Sequence, residues 1–578
     1  MLKGIPASPG IVIAKAYVVS ARTASVSKKS IKPAEAESEV KRFRQAVDKT
    51  KAEVLAIREK VVFDIGNSEA DIFNAYILLL EDSSVIGKSE KIIREDLVNA
   101  EYALKKVHEE YMQFFDRIAD SYLKEKSRDV NGLIEKVMKN LAQSDPGEGE
   151  RPDDQYIVIA RDLSPADTAE MDKKEVLGFV TEVGGATSHT AIVARSLEIP
   201  AVVGVRDMIN NVKTGDMVII DGEKGLVIVN PGQKALNVYK AERQAYISRV
   251  RILKRLIKLE AKTTDGYKVG LMANIEFPEE AGTASANNAE GIGLFRTEFV
   301  YINKTSLPSE EDQFNSYKSV IDAMQGKPVT IRTLDIGGDK FLPYFKIQPE
   351  QNPFLGLRAI RLSLLNTNIF KLQLRAILRA SAFGQVKIMF PMVTIIEEID
   401  EAKKLLEEVK EELSAKKVAF DRGIKVGTMI EVPSAALLAD DLAKKVDFFS
   451  IGTNDLIQYT LAVDRGNESV AKYYSAFDPA VLKLIKMTVE GAHKNNIKVS
   501  VCGEMAGAPQ LAVLLVGIGV DELSVSPSSL LAVKKIIRSI TFSEAREAGE
   551  AALKMKSGSE IKDYMAAKTA EIIKKGQG

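Results

Sequence analysis

The residues best suited to chemistry in this chain are polar groups that end apolar runs. Arg296 and Glu298 close GIGLFRTEF, Arg332 and Asp335 lie near the end of VTIRTLDIGG, and Glu431 comes near the end of KVGTMIEVP. Asn454 and Asp455 close DFFSIGTND, Cys502 and Glu504 lie in KVSVCGEMAG, and Asn274 and Ser524 hold similar places in YKVGLMANI and VDELSVSP. Two arginines ending neighbouring apolar runs, with Arg465 just beyond a third, suit a phosphate or carboxylate, to which a guanidinium donates two parallel hydrogen bonds. Glu431 and Asp455 supply two carboxylates from successive runs. With phosphate oxygens such a pair forms a Mg²⁺ site, because that ion keeps several waters and takes few protein ligands. The alternative is a pair of structural acids held by arginines. Asn454 can donate to a bound anion without adding charge. Cys502 is either a small buried hydrophobe or a thiol that exchanges a proton with a substrate carbon. Arginines, a divalent cation and a proton donor together suit a small phosphorylated carboxylic acid whose cleavage leaves an enolate.

A second centre lies in VLGFVTEVGGATSHTAIVARSLEIPAVVGV (176–205), which reads as strand, glycine turn, helix and strand. His189 opens the helix, with Thr187 or Ser188 as N-cap and Gly184-Gly185 allowing a ligand to come close. A helix start disfavours imidazolium and keeps the ring neutral and nucleophilic, while its free amides favour an anion. Those are the needs of a histidine that accepts a phosphoryl group, and a hydrogen-bonded helix-start histidine without chemistry is the alternative. His108, in a charged helical stretch, and His493, in GAHKNN, read as structural or solvated.

These groups need elements to position them. Eight apolar runs, at 267–275, 291–299, 329–338, 386–393, 425–433, 447–455, 498–507 and 520–527, alternate with helix-length spacers. That is the pattern of a (β/α)8 TIM barrel, whose chemistry sits at the C-terminal ends of the strands, so the polar groups converge on one mouth. GIGLFR lies inside a strand and lacks the GxGxxG turn, which excludes a dinucleotide site. Between Pro33 and Pro146 there is no proline, and Val40, Phe43, Val47, Val54 and Ile57 recur at helical spacing. The runs 71–86 and 102–118 read as further amphipathic helices, with Gly87 and Gly132 near breaks. Short β-branched runs from 156 to 229 indicate an α/β unit to which IPASPGIVIAKAYVV also belongs, so the helical domain is an insertion into it. The expected domains are 1–21 with 147–230 (α/β), 22–146 (all-α), 231–262 (linker helix) and 263–578 (barrel).

At 578 residues the chain is long enough for about four units of roughly 150 residues. Hydrophobic content of 45% with 28% charged residues excludes a disordered or fibrous protein. The 80 basic and 80 acidic residues cancel, so no overall field favours nucleic acid or an anionic membrane. The charged stretch 233–262 is read as a solvated linker face. A single cysteine cannot form an intramolecular disulfide, which fits a reducing compartment. Pro6 and Pro9 interrupt the N-terminal segment, and no run approaches a membrane span, so the expectation is a cytoplasmic protein without membrane insertion.

In order along the chain, ASPGI, GGATSHTAIVAR (184–195), AEGIGLFRTEF (289–299), RTLDIGGDK (332–340), NPFLGLRAIR (352–361), FFSIGTNDLIQYTLAVDRGN (448–467) and CGEMAG (502–507) resemble the enzyme I family of the bacterial sugar phosphotransferase system. These are phosphoenolpyruvate–protein phosphotransferases. The resemblance implies that His189 is phosphorylated, on a swivelling phosphohistidine domain, and that Thr168 in DLSPADTA orients its ring. It implies that Arg296, Arg332, Asn454, Asp455 and Arg465 bind phosphoenolpyruvate, with Arg358 as a further arginine. It also implies that Glu431 and Asp455 hold Mg²⁺ and that Cys502 protonates the product to pyruvate. The helical insertion would bind the phosphocarrier protein HPr, and the barrel would form a homodimer. Ala186 departs from several relatives, which carry a larger residue such as arginine. Two other readings are a dikinase-type phosphoenolpyruvate enzyme and a non-catalytic phosphoenolpyruvate or pyruvate sensor. The first needs a large nucleotide-binding domain, where this chain has a short helical insertion. The second needs no nucleophile.

Overall fold

Strand-forming sequence recurs along most of the chain and assembles into two different sheets. The computed structural model describes residues 1–19, 27–64, 76–77, 80–81, 85–116, 133–134, 136–141, 155–163, 175–185, 191, 194, 199–302, 306–337, 350–467 and 469–575. They fall into two units, Met1–Arg249 and Val250–Gly578.

In the first unit the strands are β1 (Leu2–Lys3), β2 (Ile5–Ser8), β3 (Ile11–Val19), β4 (Tyr156–Ala160), β5 (Val176–Thr181), β6 (Ala201–Val203), β7 (Met217–Asp221) and β8 (Leu226–Val229). They form one sheet in the order β1-β8-β7-β3-β4-β5-β6-β2. β3 and β4 are parallel neighbours, with Lys15 opposite Tyr156 and Val19 opposite Ala160, although the helical segment separates them in sequence. Every residue of β4 is buried, because alternate side chains enter cores on opposite faces of the sheet. Such two-sided burial explains its unbroken apolar sequence. The helices Ala36–Asp64, Ile86–Asp96 and Ala100–Asp116 share a separate core that includes Val40, Phe43, Ile93 and Leu104. Of the expected helix 71–86, residues 76, 77, 80 and 81 are described and helical, Val85 is a turn, and Ile86 begins the next helix, Ile86–Asp96, in which Gly87 is the second residue.

The expected linker helix 231–262 is shorter, Gln233–Lys254. Beyond it the chain tightens into three-residue turns, with Leu256 N bonded to Leu253 O and Leu259 N to Leu256 O. The Ile257 carbonyl instead accepts Asn288 Nδ2 at 3.0 Å and Lys534 Nζ at 3.1 Å. These side chains take the acceptor that a continued helix needs.

The second unit is a closed parallel barrel of β9 (Gly270–Ile275), β10 (Ile292–Arg296), β11 (Val329–Arg332), β12 (Val386–Phe390), β13 (Lys425–Ile430), β14 (Phe448–Ile451), β15 (Lys498–Val501) and β16 (Glu522–Val525). Each strand falls within one of the eight apolar runs. Closure pairs β16 with β9, and Asn274 Nδ2 reinforces it by donating to the carbonyls of Cys502 (2.8 Å) and Ser524 (2.9 Å). Ser524 Oγ donates back to Asn274 Oδ1 at 2.5 Å. Asn274, expected among the mouth's polar groups, is therefore occupied in holding the first strand to the last two.

Candidate functional site

Arg296 and Arg332 are the last residues of β10 and β11, and Glu431 directly follows β13. Asn454 and Asp455 lie in the first turn of the helix Thr453–Leu461 after β14, and Cys502 directly follows β15. The barrel thus gathers these groups at the C-terminal ends of its strands.

At the centre is a buried ionic cluster. Arg332 Nη2 lies 2.7 Å from Glu298 Oε1 and 3.0 Å from Asp335 Oδ2. Arg358 Nη2 reaches Asp335 Oδ1 at 3.1 Å, and its Nη1 reaches Asp455 Oδ1 at 3.4 Å and the Tyr459 hydroxyl at 3.1 Å. Arg332 and Arg358 are 5% and 4% exposed, and the buried Nε of each lacks a hydrogen-bond partner. Glu431, 1% exposed, accepts the Met392 amide at 2.6 Å. Burial raises its pKa, the nearby Asp455 and Asp335 raise it further, and Arg332 and Arg358 oppose them.

Among the described residues two guanidinium groups face four carboxylates, those of Glu298, Asp335, Glu431 and Asp455. With all four ionised the cluster carries two uncompensated negative charges, which burial makes costly; Glu431, pushed up to about 8, relieves one of them by holding a proton at neutral pH. A hard divalent cation on Glu431 and Asp455 fits the deficit and the all-oxygen donor set. Among the described residues no group of three or more His, Cys, Asp or Glu side chains forms a metal cluster. A cation here would complete its shell with water and ligand oxygens.

Arg296, Asn454 and Arg465 are less buried, whereas Cys502 is as buried as the cluster. Arg296 Nη1 pairs with Glu276 Oε1 at 2.5 Å. Asn454 Nδ2 donates to Glu504 Oε1 at 3.0 Å and its Oδ1 accepts the Glu504 amide at 3.2 Å, so Glu504 occupies the amide expected to meet an anion. Arg465 is exposed beyond this helix, and its amide donates to Gln458 Oε1 at 3.2 Å. Cys502 packs with Leu294, Met389, Met429 and Phe448, and its Sγ donates to the Ile451 carbonyl at 3.6 Å. Burial pushes the thiol up to about 11, so it stays protonated at neutral pH. The two readings of Cys502 thus describe one neutral thiol beside the charged mouth. His189, Thr168 and Ala186 lie outside the described residues.

Several residues at the site were not singled out by sequence reasoning. Tyr459 stands four residues after Asp455, one helical turn further on, and that spacing was the available signal. Its hydroxyl also donates to the Phe354 carbonyl at 2.5 Å. Glu276 and Gln373 gave no local signal. Gln373 accepts the Leu334 amide at 2.9 Å and donates to Thr297 Oγ1 at 3.0 Å, and Thr297 in turn donates to the Arg332 carbonyl at 2.8 Å. This buried chain fixes the backbone that carries Arg332.

Residues 3–126, 152–225 and 251–542 match, in order, the N-terminal, mobile and PEP-binding domains of PEP-utilising enzymes. The fold and the arginine- and carboxylate-lined barrel mouth thus belong to the class of PEP-utilising enzymes. The phosphoenolpyruvate-protein phosphotransferase of Bacillus sp. (strain S) is 43% identical over 98% of this chain and 97% of that one. The protein of the same description from Bacillus subtilis (strain 168) is 43% identical over 97% of this chain and 98% of that one. A solution structure described as Enzyme I (nEIt) is 42% identical, covering 43% of this chain and 99% of that chain at a TM-score of 0.35. The chain belongs to the phosphoenolpyruvate-protein phosphotransferase family.

Proposed function

We propose that the protein transfers the phosphoryl group of phosphoenolpyruvate to its own His189 and then to a histidine of HPr, the first step of phosphoenolpyruvate-dependent sugar uptake. The observation that carries this reading is the buried cluster of Arg332 and Arg358 with four carboxylates at the barrel mouth. Family membership supports it. Arg296, Arg332, Arg358 and Arg465, with Asn454, bind the phosphate and carboxylate oxygens, partly in place of their present acidic partners. Glu431 and Asp455 hold Mg²⁺, which when bound offsets charge on the phosphate. The neutral ring of His189, oriented by Thr168, attacks in line; the N–P bond forms as the P–O bond to the enolate breaks. The enolate carbon takes the Cys502 Sγ proton to give pyruvate, and the thiolate recovers its proton from water. The α/β domain (1–21 with 147–230) then presents the phosphohistidine to HPr on the helical domain (22–146). The barrel is read as the dimer interface, and the protein as cytoplasmic. Among the described residues no helix is long and apolar enough to cross a membrane.

Incubation with phosphoenolpyruvate and Mg²⁺ is expected to add one phosphoryl group to the wild-type chain by intact mass and none to His189→Ala. A phosphorylated His189→Ala chain overturns the assignment. Exchange of labelled pyruvate into phosphoenolpyruvate separates this enzyme from a silent sensor, which shows none.

Cys502→Ala is expected to slow pyruvate release about 10²–10⁴-fold, the usual worth of a positioned acid, with His189 phosphorylation less affected. Because the thiol titrates near 11, release should show no inflection from it around neutrality. A wild-type inflection at the ordinary thiol value that is lost in Cys502→Ala contradicts the buried, protonated donor.

A further inference from the structure

The opposite, N-terminal end of the barrel carries a polar cluster with the reverse charge imbalance. Lys387 is the second residue of β12, while Lys425, Lys498 and Glu522 begin β13, β15 and β16. Lys387 is in register with Lys425, Gly427 with Phe448, Phe448 with Lys498, and Ser500 with Glu522. Register partners project to one face of a sheet, and that face repeats at every second residue. Met389, Met429, Phe448 and Cys502 share one interior cluster. By that alternation Lys387, Lys425, Lys498 and Glu522 face the barrel axis as well.

Phe448 forms the floor of this end. Lys387 Nζ lies 5.2 Å from the centre of its ring, and Gly427 leaves room for the ring, since a Cβ there would sit 2.5 Å from it. Gly270 does the same for Glu522, whose Cγ would be 2.6 Å from an added Cβ. A barrel of this type ordinarily fills such layers with branched apolar side chains. Here Lys498 pairs with Glu522 at 3.3 Å, whereas among the described residues no carboxylate pairs with Lys387 or Lys425. Two neighbouring acids are already engaged. Asp447 accepts the Val426 amide at 2.8 Å, and Asp521 accepts the Val499 amide at 2.8 Å and meets His493 Nε2 at 3.0 Å. Burial lowers the Lys387 pKa, Lys425 and Lys498 lower it further, and Glu522 opposes them.

We propose that this basic floor binds a phosphate group through the ammonium groups of Lys387, Lys425 and Lys498. At the axis-facing positions three lysines meet one glutamate, a local excess of positive charge that suits a phosphate dianion. Lysine binds phosphate as a point charge without the planar fork of arginine. The floor is separate from the mouth, where acids outnumber arginines, and it holds no group used in the proposed phosphoryl transfer. Lys387 and Lys425 lie in register and repel each other, and a phosphate between them relieves that repulsion.

The test is thermal unfolding of the full chain at constant ionic strength, with inorganic phosphate, glycerol phosphate or chloride, for wild type and Lys387→Met. The wild-type Tm is expected to rise about 1–2 °C more in phosphate at ten times Kd than in chloride. Lys387→Met, relieved of repulsion, is expected to start at or above the wild-type Tm and to lose the phosphate-specific rise. Phosphate at the mouth shifts both proteins equally, so the difference between them reports the floor. A response to glycerol phosphate as well as inorganic phosphate identifies a monoester site, and a response to inorganic phosphate alone identifies a free-ion site. Equal shifts in both proteins, no phosphate-specific shift in wild type, or a lower starting Tm for Lys387→Met overturns the proposal. Should Lys387→Met fail to fold, Lys425→Met, at the exposed rim, must show the same loss.

Discussion

Arg332→Met is expected to destabilise the barrel by about 3–5 kcal/mol and to abolish phosphoenolpyruvate turnover. The size follows from where the charge sits. Arg332 is almost fully buried, and one of its nitrogens serves both Glu298 and Asp335. Methionine nearly preserves the volume and packs against Met429, whose sulfur already lies 3.6 Å from Arg332 Nη1, so little of the loss comes from a cavity. What remains is a buried acid cluster with one cation fewer. Because the defect is excess negative charge, Arg332→Met/Glu298→Gln should recover part of the lost stability, and a double-mutant cycle measures the coupling. Mg²⁺ should raise the variant's Tm more than the wild-type Tm. A variant Tm within a degree of wild type, with no coupling, would show that the cluster does not depend on this arginine.

The second large effect is expected at a residue with no side chain. Gly452 adopts φ −84° and ψ 82°, so alanine meets no left-handed strain there. Its Cβ, however, would lie 2.6 Å from Glu431 Oε2, 2.9 Å from Glu431 Cβ and 3.0 Å from Met429 Sδ. Glu431 cannot retreat freely, because it is buried and its other oxygen holds the Met392 amide. Gly452→Ala should therefore turn the carboxylate away from Asp455. The Mg²⁺ concentration for half-maximal activity is expected to rise roughly 10–100-fold, the usual range for disturbing the support of a metal ligand. Overpacking should cost about 1–3 kcal/mol. Activity measured across a Mg²⁺ series decides the matter: an unchanged half-maximal concentration in a folded variant removes Glu431 from the metal site.

The barrel was legible in the sequence for one physical reason. Strands covered on both faces must be apolar throughout, so a polar residue within a run stands out, and Arg296, Arg332 and Glu431 did. The pairing among these residues was not legible. Arg358 meets Asp455 and Tyr459 across separations of 97 and 101 residues, which no local pattern encodes. Asn274 shows the opposite failure: a polar residue near a strand end looked like a ligand group, yet its amide is spent on backbone carbonyls. Gly452 was invisible because its contribution is space. The early end of the linker helix was hidden because Asn288 and Lys534, which take the Ile257 carbonyl, come from distant segments.

The bonds from Asn274 to the carbonyls of Cys502 and Ser524 span 228 and 250 residues. During synthesis the barrel's first strand therefore waits for its neighbour β16 until nearly the whole chain has been made. In the first unit, ending at Arg249, β1 also waits for its distant partner β8, but all its strands have emerged by Val229. Domains form as units, N-terminal first, and long-range parallel pairing is slow. The nascent barrel thus spends most of its translation as an open, edge-exposed sheet, and its folding time is set by the arrival of its last strand.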